Sequence, residues 1–112
     1  MKVGLDIQDI SRIKRLPPER MVRIFSAREL LYIQTKNSAQ TVAGLFCAKE
    51  AFFKALGCGV KHNKLTDVEI LHDECGAPYY NILDDELKNL APNTTLSISH
   101  TKNTAAAVCV VF

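Results

Sequence analysis

A chain of 112 residues fits one domain, because two independent hydrophobic cores would need more residues, and we expect residues 1–112 to form a single unit. Apolar residues make up 47% of the sequence and charged residues 23%, which is the balance of a soluble globular protein. The formal net charge of +2 is too small to indicate a nucleic acid or a membrane as partner.

The cysteines give no sign of a disulfide framework or a zinc site. They form no C-x-x-C pair and no cluster with histidine at ligand spacing, and they stand at Cys47, Cys58, Cys75 and Cys109. The first residues lack the apolar stretch of a signal peptide, and no apolar run approaches membrane-spanning length. We therefore expect a protein of the reducing cytoplasm.

The N-terminal residues predict a strand followed by two short helices. Val3, Leu5 and Ile7 alternate with polar or small residues, so we expect them to form the buried face and Asp6 to lie on the opposite face. A short helix over residues 10–13 should end before the prolines at 17 and 18, and a second should start at Pro18.

Two longer helices follow. Ser26 and Glu29 have the spacing of a capping box, and this helix should end near Thr35, with residues 36–38 as a loop. The strongest helical pattern runs from about residue 38 to 56, where Gly57 is placed to act as a left-handed C-terminal cap and residues 57–59 as a turn.

The C-terminal half predicts mainly strands. We expect a strand around residues 68–70, a turn over 73–78, a return strand over 79–83, a short helix capped by Asp84 or Asp85, a strand over 96–100, and an apolar strand over 105–112 at the centre of the sheet. Runs of strands beside separate helices favour an α+β fold, with a mainly antiparallel sheet packed on the long apolar helix.

Positive charge is concentrated near the N-terminus. Between residues 11 and 36 only Glu19 and Glu29 oppose seven basic residues, namely Arg12, Lys14, Arg15, Arg20, Arg23, Arg28 and Lys36. Such a segment fits a docking surface for an acidic partner, and it equally fits a solvated helix face.

The long helix carries charge where an apolar environment makes charge costly. Lys49, Glu50 and Lys54 lie in its middle, and Glu50 and Lys54, four residues apart, could form a simple ion pair. Alternatively, Glu50 binds magnesium and Lys54 contacts a phosphate, with Asp6 as a second carboxylate. Near the end of the chain, His100 and Thr101 could contact a phosphate oxygen, or His100 could be an ordinary packed or solvated residue.

Three motifs in order carry a resemblance to a known family. They are GLDI at residues 4–7, FCAKEAFFKALGCG at 46–59 and SISHT at 97–101. Together they resemble the holo-acyl-carrier-protein synthase family, the short type of 4′-phosphopantetheinyl transferase, over essentially the whole chain.

The resemblance implies a reaction and a set of catalytic residues. The family transfers 4′-phosphopantetheine from coenzyme A to a serine of apo-acyl carrier protein, which supports fatty acid biosynthesis, and releases adenosine 3′,5′-bisphosphate. By motif, Asp6 and Glu50 would hold Mg²⁺, Glu50 would accept the serine proton, and Lys54 would offset phosphate charge.

The resemblance also implies binding surfaces and an assembly. Coenzyme A would contact the family's phosphate and nucleotide positions, which correspond to Lys36, Lys54, Pro78, His100 and Thr101. The carrier protein would dock on Arg12, Arg20 and Arg23, and the active sites would lie between the subunits of a homotrimer. Two positions depart from the family pattern, because Leu45 and Ala77 replace basic residues near the nucleotide end of coenzyme A.

Two other functions remain open on the sequence. A small coenzyme A thioesterase could have the same size and fold class, but it would not need the charged residues of the long helix. A non-catalytic module that binds an acidic protein would explain the basic segment alone.

Overall fold

The structure, a computed structural model, describes residues 1–57 and 64–112. Its elements in chain order are β1 (Lys2–Asp9), α1 (Ile10–Ile13), α2 (Pro18–Ile24), α3 (Ala27–Lys36), α4 (Ala39–Leu56), β2 (Val68–His72), β3 (Pro78–Ile82), α5 (Asp85–Leu90), β4 (Thr94–His100) and β5 (Thr104–Val111), with one 3-10 turn at Leu65–Asp67. The predicted α+β class is confirmed. The turn predicted at residues 57–59 falls mostly outside the described residues, since Cys58 and Gly59 are not among them.

The described strands form two antiparallel sheets. One has the order β1-β5-β4, and the other is the hairpin of β2 and β3. The apolar C-terminal strand therefore lies at the centre of the larger sheet, as predicted, and α4 packs across its inner face. Two of the predicted free thiols, Cys47 and Cys109, are buried in the core between helix and sheet, whereas Cys75 is exposed.

The prediction for the faces of β1 is wrong. Val3, Leu5 and Ile7 are more than 60% exposed, whereas Gly4 is buried and Asp6 is only 5% exposed. The cause is a close approach of α4, because a Cβ on Gly4 would lie 1.9 Å from the carbonyl oxygen of Ala51. Only glycine permits this contact. The face of β1 that contains Gly4 therefore turns inward, although it also carries the charged Asp6.

The long helix α4 is buried because its apolar residues surround it on nearly all sides. Its first turn is capped by the Ser38 hydroxyl, which accepts a hydrogen bond from the Thr41 amide at 3.4 Å. It ends at Gly57, whose φ of 75° is left-handed, as predicted. These caps fix the ends of α4, and hence the placement of the charged residues in its middle.

The shorter helices also have the predicted caps. Ser26 and Glu29 form the reciprocal capping box of α3, and the Asp84 carboxylate caps α5 by accepting from the Leu87 amide at 2.9 Å. Helix α3 extends one residue further than predicted and includes Lys36, because Asn37 takes the left-handed conformation that ends it. In the described part of the chain, no helix is long and apolar enough to cross a membrane.

Candidate active site

Asp6 is a buried carboxylate at the contact between β1 and α4. Its Oδ1 lies 3.0 Å from the Nζ of Lys54, and its Oδ2 accepts a hydrogen bond from the Nε2 of Gln8 at 3.0 Å. Gln8 lies two residues further along the same strand, so both side chains project from one face. The contact between Gln8 and Asp6 follows from their spacing of two residues in a strand, which is visible in the sequence.

The alternative of an ion pair between Glu50 and Lys54 is wrong for this structure. The Nζ of Lys54 pairs with Asp6, although Lys54 lies four residues after Glu50 on the same helix. The close approach of β1 at Gly4 brings the Asp6 carboxylate within reach, and Lys54 is thereby directed to the strand. Its side chain remains 55% exposed, so it is also accessible to a ligand.

Glu50 is half-buried and lies close enough to Asp6 for the two charges to interact. Burial raises the pKa of the Glu50 carboxyl above its ordinary value, the negative charge of Asp6 raises it further, and Lys54 opposes the shift. Burial likewise raises the pKa of the neighbouring Cys47 thiol to about 12, so Cys47 remains a neutral thiol beside the two carboxylates.

The two carboxylates fit a hard divalent cation. Magnesium prefers oxygen ligands and is commonly held by one or two carboxylates, with water and substrate phosphates as the other ligands. Among residues 1–57 and 64–112, no group of three or more histidine, cysteine or acidic side chains forms a complete metal site. Asp6 and Glu50 would therefore hold a cation only together with ligands from a bound substrate and water.

A cleft of about 270 Å³ joins Glu50 to the basic segment. Arg12 and Arg20 line this cleft from α1 and α2, and Phe46 lies beside Glu50 on α4. The third predicted docking residue, Arg23, is exposed in the last turn of α2 and does not line the cleft. The structure thus brings two of the three predicted docking residues to Glu50.

A second cleft, of about 320 Å³, contains two of the residues predicted to contact coenzyme A. Pro78 and His100 line it, together with the stacked rings of Tyr32 and His72, whose centroids are 4.0 Å apart. Burial lowers the pKa of His72, Lys36 lowers it further, and Asp73 opposes the shift. The stack gives this cleft a flat aromatic boundary that the sequence analysis did not find.

Of the three other coenzyme A candidates, Lys54 lies beside Asp6, whereas Lys36 and Thr101 lie near this second cleft. The Nζ of Lys36 is 5.5 Å from the centre of the Tyr32 ring, and Tyr32 lines this cleft. Thr101 directly follows His100, and its hydroxyl oxygen accepts a hydrogen bond from the Thr104 amide at 3.1 Å. This hydroxyl therefore closes the turn between β4 and β5.

The two departures from the family pattern have different positions. Leu45 lines the second cleft, where it contributes an apolar surface. Ala77 is exposed in the turn between β2 and β3, and its amide donates to the Asp73 carboxylate at 2.9 Å. Neither position brings positive charge to this cleft.

One charged contact of α4 was not expected from the sequence. Lys49 is completely buried, and its Nζ lies 2.7 Å from the Oε1 of Glu29. The sequence analysis assigned Glu29 only to the capping box of α3, and the spacing of 20 residues gives no signal of a pair.

Known proteins are similar to this chain in sequence and fold. The sequence profile of the 4′-phosphopantetheinyl transferase superfamily matches residues 2–109. The chain belongs to this superfamily. A relative from Fusobacterium nucleatum, a holo-[acyl-carrier-protein] synthase, is 39% identical, and the alignment covers 97% of this chain and 96% of that protein. A protein of the same name from Clostridium tetani is 34% identical, covering 97% of this chain and 93% of that protein.

Solved structures of the transferase superfamily have the same fold. The holo-[acyl-carrier-protein] synthase of Helicobacter pylori, solved in complex with coenzyme A, superposes with a TM-score of 0.86 at 30% identity and covers 98% of this chain and 99% of that chain. The enzyme of the same name from Neisseria meningitidis gives a TM-score of 0.88 at 28% identity, covering 99% of this chain and 97% of that chain. The similarity therefore extends over the full length on both sides.

Proposed function

We propose that this protein transfers 4′-phosphopantetheine from coenzyme A to a serine hydroxyl of apo-acyl carrier protein. The serine oxygen forms a bond to the phosphorus that carries pantetheine, the pyrophosphate bond breaks, and adenosine 3′,5′-bisphosphate leaves. The observation that carries this proposal is the meeting of Asp6, Glu50 and Lys54 in a chain that belongs to the transferase superfamily.

Asp6 and Glu50 would hold Mg²⁺ against the pyrophosphate of coenzyme A. When bound, the cation would polarise the phosphate oxygens and neutralise charge that develops as the bond breaks. Glu50 would accept the serine proton as general base, because it lines the cleft on which the carrier protein would dock. Lys54 would move from Asp6 to the phosphate, because more than half of its side chain is exposed.

The carrier protein would dock on Arg12, Arg20 and Arg23. Arg12 and Arg20 line the cleft that ends at Glu50, so an acidic helix held by these residues would present its serine to that carboxylate. Arg23 is exposed beside them on α2 and would add charge at the rim of the interface.

The nucleotide end of coenzyme A would occupy the second cleft. Pro78 and His100 line this cleft, and the ring stack of Tyr32 and His72 offers a face for a flat base. Lys36 and Thr101 lie beside it and would contact phosphate groups. Lys36 would supply positive charge beside the stack, where Leu45 supplies none.

The active enzyme would be a homotrimer with sites between its subunits. The outer face of the larger sheet carries exposed apolar residues of β1, which a partner subunit would cover, namely Val3, Leu5 and Ile7. Among residues 1–57 and 64–112, the two clefts share no lining residue, which supports a site completed by a neighbouring subunit.

A cytoplasmic setting and a role in fatty acid biosynthesis belong to the same proposal. The free thiols of Cys47, Cys75 and Cys109 fit a reducing compartment.

One experiment tests the reaction. The protein is incubated with coenzyme A, Mg²⁺ and a panel of apo-carrier proteins, and mass spectrometry follows the carrier. We expect the carrier mass to rise by one phosphopantetheine group, and not when its serine is replaced by alanine. Carrier binding without any mass gain would favour a non-catalytic module, and release of free thiol from acyl-coenzyme A without carrier modification would favour a thioesterase.

A further inference from the structure

Lys49 is a charged residue of α4 for which the proposed reaction has no use. All of its side chain is buried, and its Nζ has three oxygen acceptors. These are the Glu29 carboxylate at 2.7 Å, the Leu65 carbonyl at 2.9 Å and the Val68 carbonyl at 2.6 Å. Its three donor hydrogens are thus matched by three acceptors, one from α3 and two from the chain that leads into β2.

Glu29 joins the same elements from the other side. Its Oε1 accepts from the Ser26 amide at 2.9 Å within the capping box, and its Oε2 accepts from the Ile70 amide at 2.9 Å on β2. One carboxylate therefore fixes the start of α3, the middle of α4 and strand β2 to one another.

Stability does not by itself account for such a pair. Removing two charges from water costs several kcal/mol per ion, and apolar residues of similar volume often stabilise a fold as well as a buried ion pair does. What the pair supplies beyond an apolar contact is direction, because charged hydrogen bonds need defined positions of donor and acceptor. Such directional bonds matter on a helix that carries a reacting residue, because they fix the rotation of the helix about its axis.

Lys49 immediately precedes Glu50, so its anchor and the candidate metal ligand share one turn of α4. Consecutive helical residues point about 100° apart, and Lys49 accordingly faces α3 and β2 while Glu50 faces the arginine-lined cleft. We propose that Lys49 is a positioning residue of the transferase, whose bonds to Glu29, Leu65 and Val68 set the rotation of α4 and thereby place Glu50 opposite Asp6. This inference rests on the proposed function.

Two variants and a matched control test this proposal. Lys49→Gln removes the charge and at least one of its three bonds, and Glu29→Gln keeps the shape of the partner but removes its charge. The control is Tyr80→Phe, which deletes another buried hydrogen bond to α4, from the Tyr80 hydroxyl to the Ala48 carbonyl at 2.7 Å. All proteins are assayed well below the lowest Tm of the set.

We expect kcat to fall about 10- to 100-fold in both variants, because a misplacement of about 1 Å has effects of this size. KM for coenzyme A should change by less than about threefold, since Lys49 lines neither cleft. Binding of Mn²⁺, followed by electron paramagnetic resonance with coenzyme A present, should weaken about 10-fold or more. Tyr80→Phe should leave kcat and Mn²⁺ binding unchanged.

Two results would overturn the proposal. In the first, both variants have a lower Tm but keep the kcat and Mn²⁺ affinity of Tyr80→Phe. In the second, neither variant folds, and in both cases the network would serve folding alone. The failure of the proposed function is distinguishable from both results. If the proposed function is wrong, the parent protein itself transfers no phosphopantetheine. The Mn²⁺ affinities of the parent and the variants would still show whether Lys49 places Glu50 opposite Asp6.

Discussion

At the scale of single residues, Glu50 and Asp6 form a carboxylate pair that the empty protein does not favour. Glu50 loses solvent on folding and meets a like charge, and Lys54 pairs with Asp6 rather than with Glu50. A cation bound there, as proposed above, would relieve this repulsion. The stability of the metal-free protein therefore reports on the site directly.

We predict that Glu50→Gln raises the Tm of the metal-free protein at pH 7 and lowers phosphopantetheine transfer about 10²- to 10⁴-fold. The folded pKa of Glu50 lies above its unfolded value, so its contribution to stability is complete below the unfolded pKa and is lost as pH rises through the folded pKa. At pH 7, which lies above the unfolded pKa, the parent thus bears a cost for Glu50 that the variant does not. Thermal unfolding in a chelator measures this difference.

The gain in Tm should disappear near pH 4, where Glu50 is protonated in the parent. Glu74→Gln is the control, because Glu74 is an exposed carboxylate in the turn between β2 and β3, and this variant should behave as the parent does. Unchanged transfer by Glu50→Gln at saturating Mg²⁺ would contradict both roles given to Glu50.

At the scale of secondary structure elements, the site depends on how closely β1 approaches α4. We predict that Gly4→Ala destabilises the protein by about 3 kcal/mol or more, because the new Cβ would lie 1.9 Å from the Ala51 carbonyl oxygen and 2.5 Å from the Ala55 amide nitrogen. Both are backbone atoms, so the strand must move away and carry Asp6 with it. Denaturant unfolding measures the change in free energy.

Gly44→Ala provides the comparison for Gly4→Ala. A Cβ on Gly44 would meet only the Cγ2 of Ile98, at 2.8 Å, and a side chain can shift where backbone cannot. Alanine also has the higher helix propensity, so this variant should change stability by less than about 1 kcal/mol. Equal losses in the two variants would mean that the approach of β1 to α4 is not the critical contact.

The helices and strands could be predicted from the sequence, but the buried face of β1 and the ion pair between α3 and α4 could not. Periodicity and capping residues gave the helices and strands, because these signals are local. The alternating pattern of β1 predicted that its apolar residues face the interior. Instead the face of Gly4 is buried by its contact with α4, and a glycine does not stand out in a hydrophobic pattern. The pair of Lys49 and Glu29 was likewise not predictable, because it joins two helices through packing.

The candidate site was predictable to the extent that motifs mark it. Asp6, Glu50 and Lys54 come together as the motifs indicated, but the pairing of Lys54 with Asp6 depends on the distance between a strand and a helix. The stack of Tyr32 on His72 joins α3 to β2 and has no sequence signal of its own.

The basic segment gives a second prediction at this scale, because α1 and α2 bring two of its residues, Arg12 and Arg20, to one cleft. Arg12→Glu should raise the KM for the carrier protein at least about 10-fold and leave the KM for coenzyme A nearly unchanged, since Arg12 lines the cleft at Glu50 but not the second cleft, in which we propose that the nucleotide lies. Steady-state kinetics at several salt concentrations measure both values, and the parent should lose carrier affinity as salt rises.

The control for Arg12→Glu makes the same change of charge elsewhere. Lys88 is exposed on α5, outside both clefts, and Lys88→Glu should leave both KM values unchanged. If Arg12→Glu raised the KM for coenzyme A as much as that for the carrier, the assignment of this surface to carrier docking would be wrong.

At the scale of the whole molecule, the inward turn of Gly4 and Asp6 has a consequence for assembly. It leaves the apolar residues of β1 outside, and they continue across β5, where Leu5 lies opposite Val108 and Val3 opposite Val110. A sheet face of this kind is stable in water when a second surface covers it. The residue that admits α4 thus also creates the surface on which subunits would meet.

We predict that the parent protein has the mass of three chains in solution and that Leu5→Glu dissociates it. Leu5 is 62% exposed in the single chain, and a carboxylate at the centre of a subunit contact would be buried without a partner. Leu31→Glu is the matched control, because Leu31 is 65% exposed on α3, and this variant should keep the parent mass. Light scattering after size-exclusion chromatography gives the masses. If the active site is shared between subunits, the Leu5→Glu monomer should also lose transfer, so a monomer with the parent's activity would show that one chain holds the complete site.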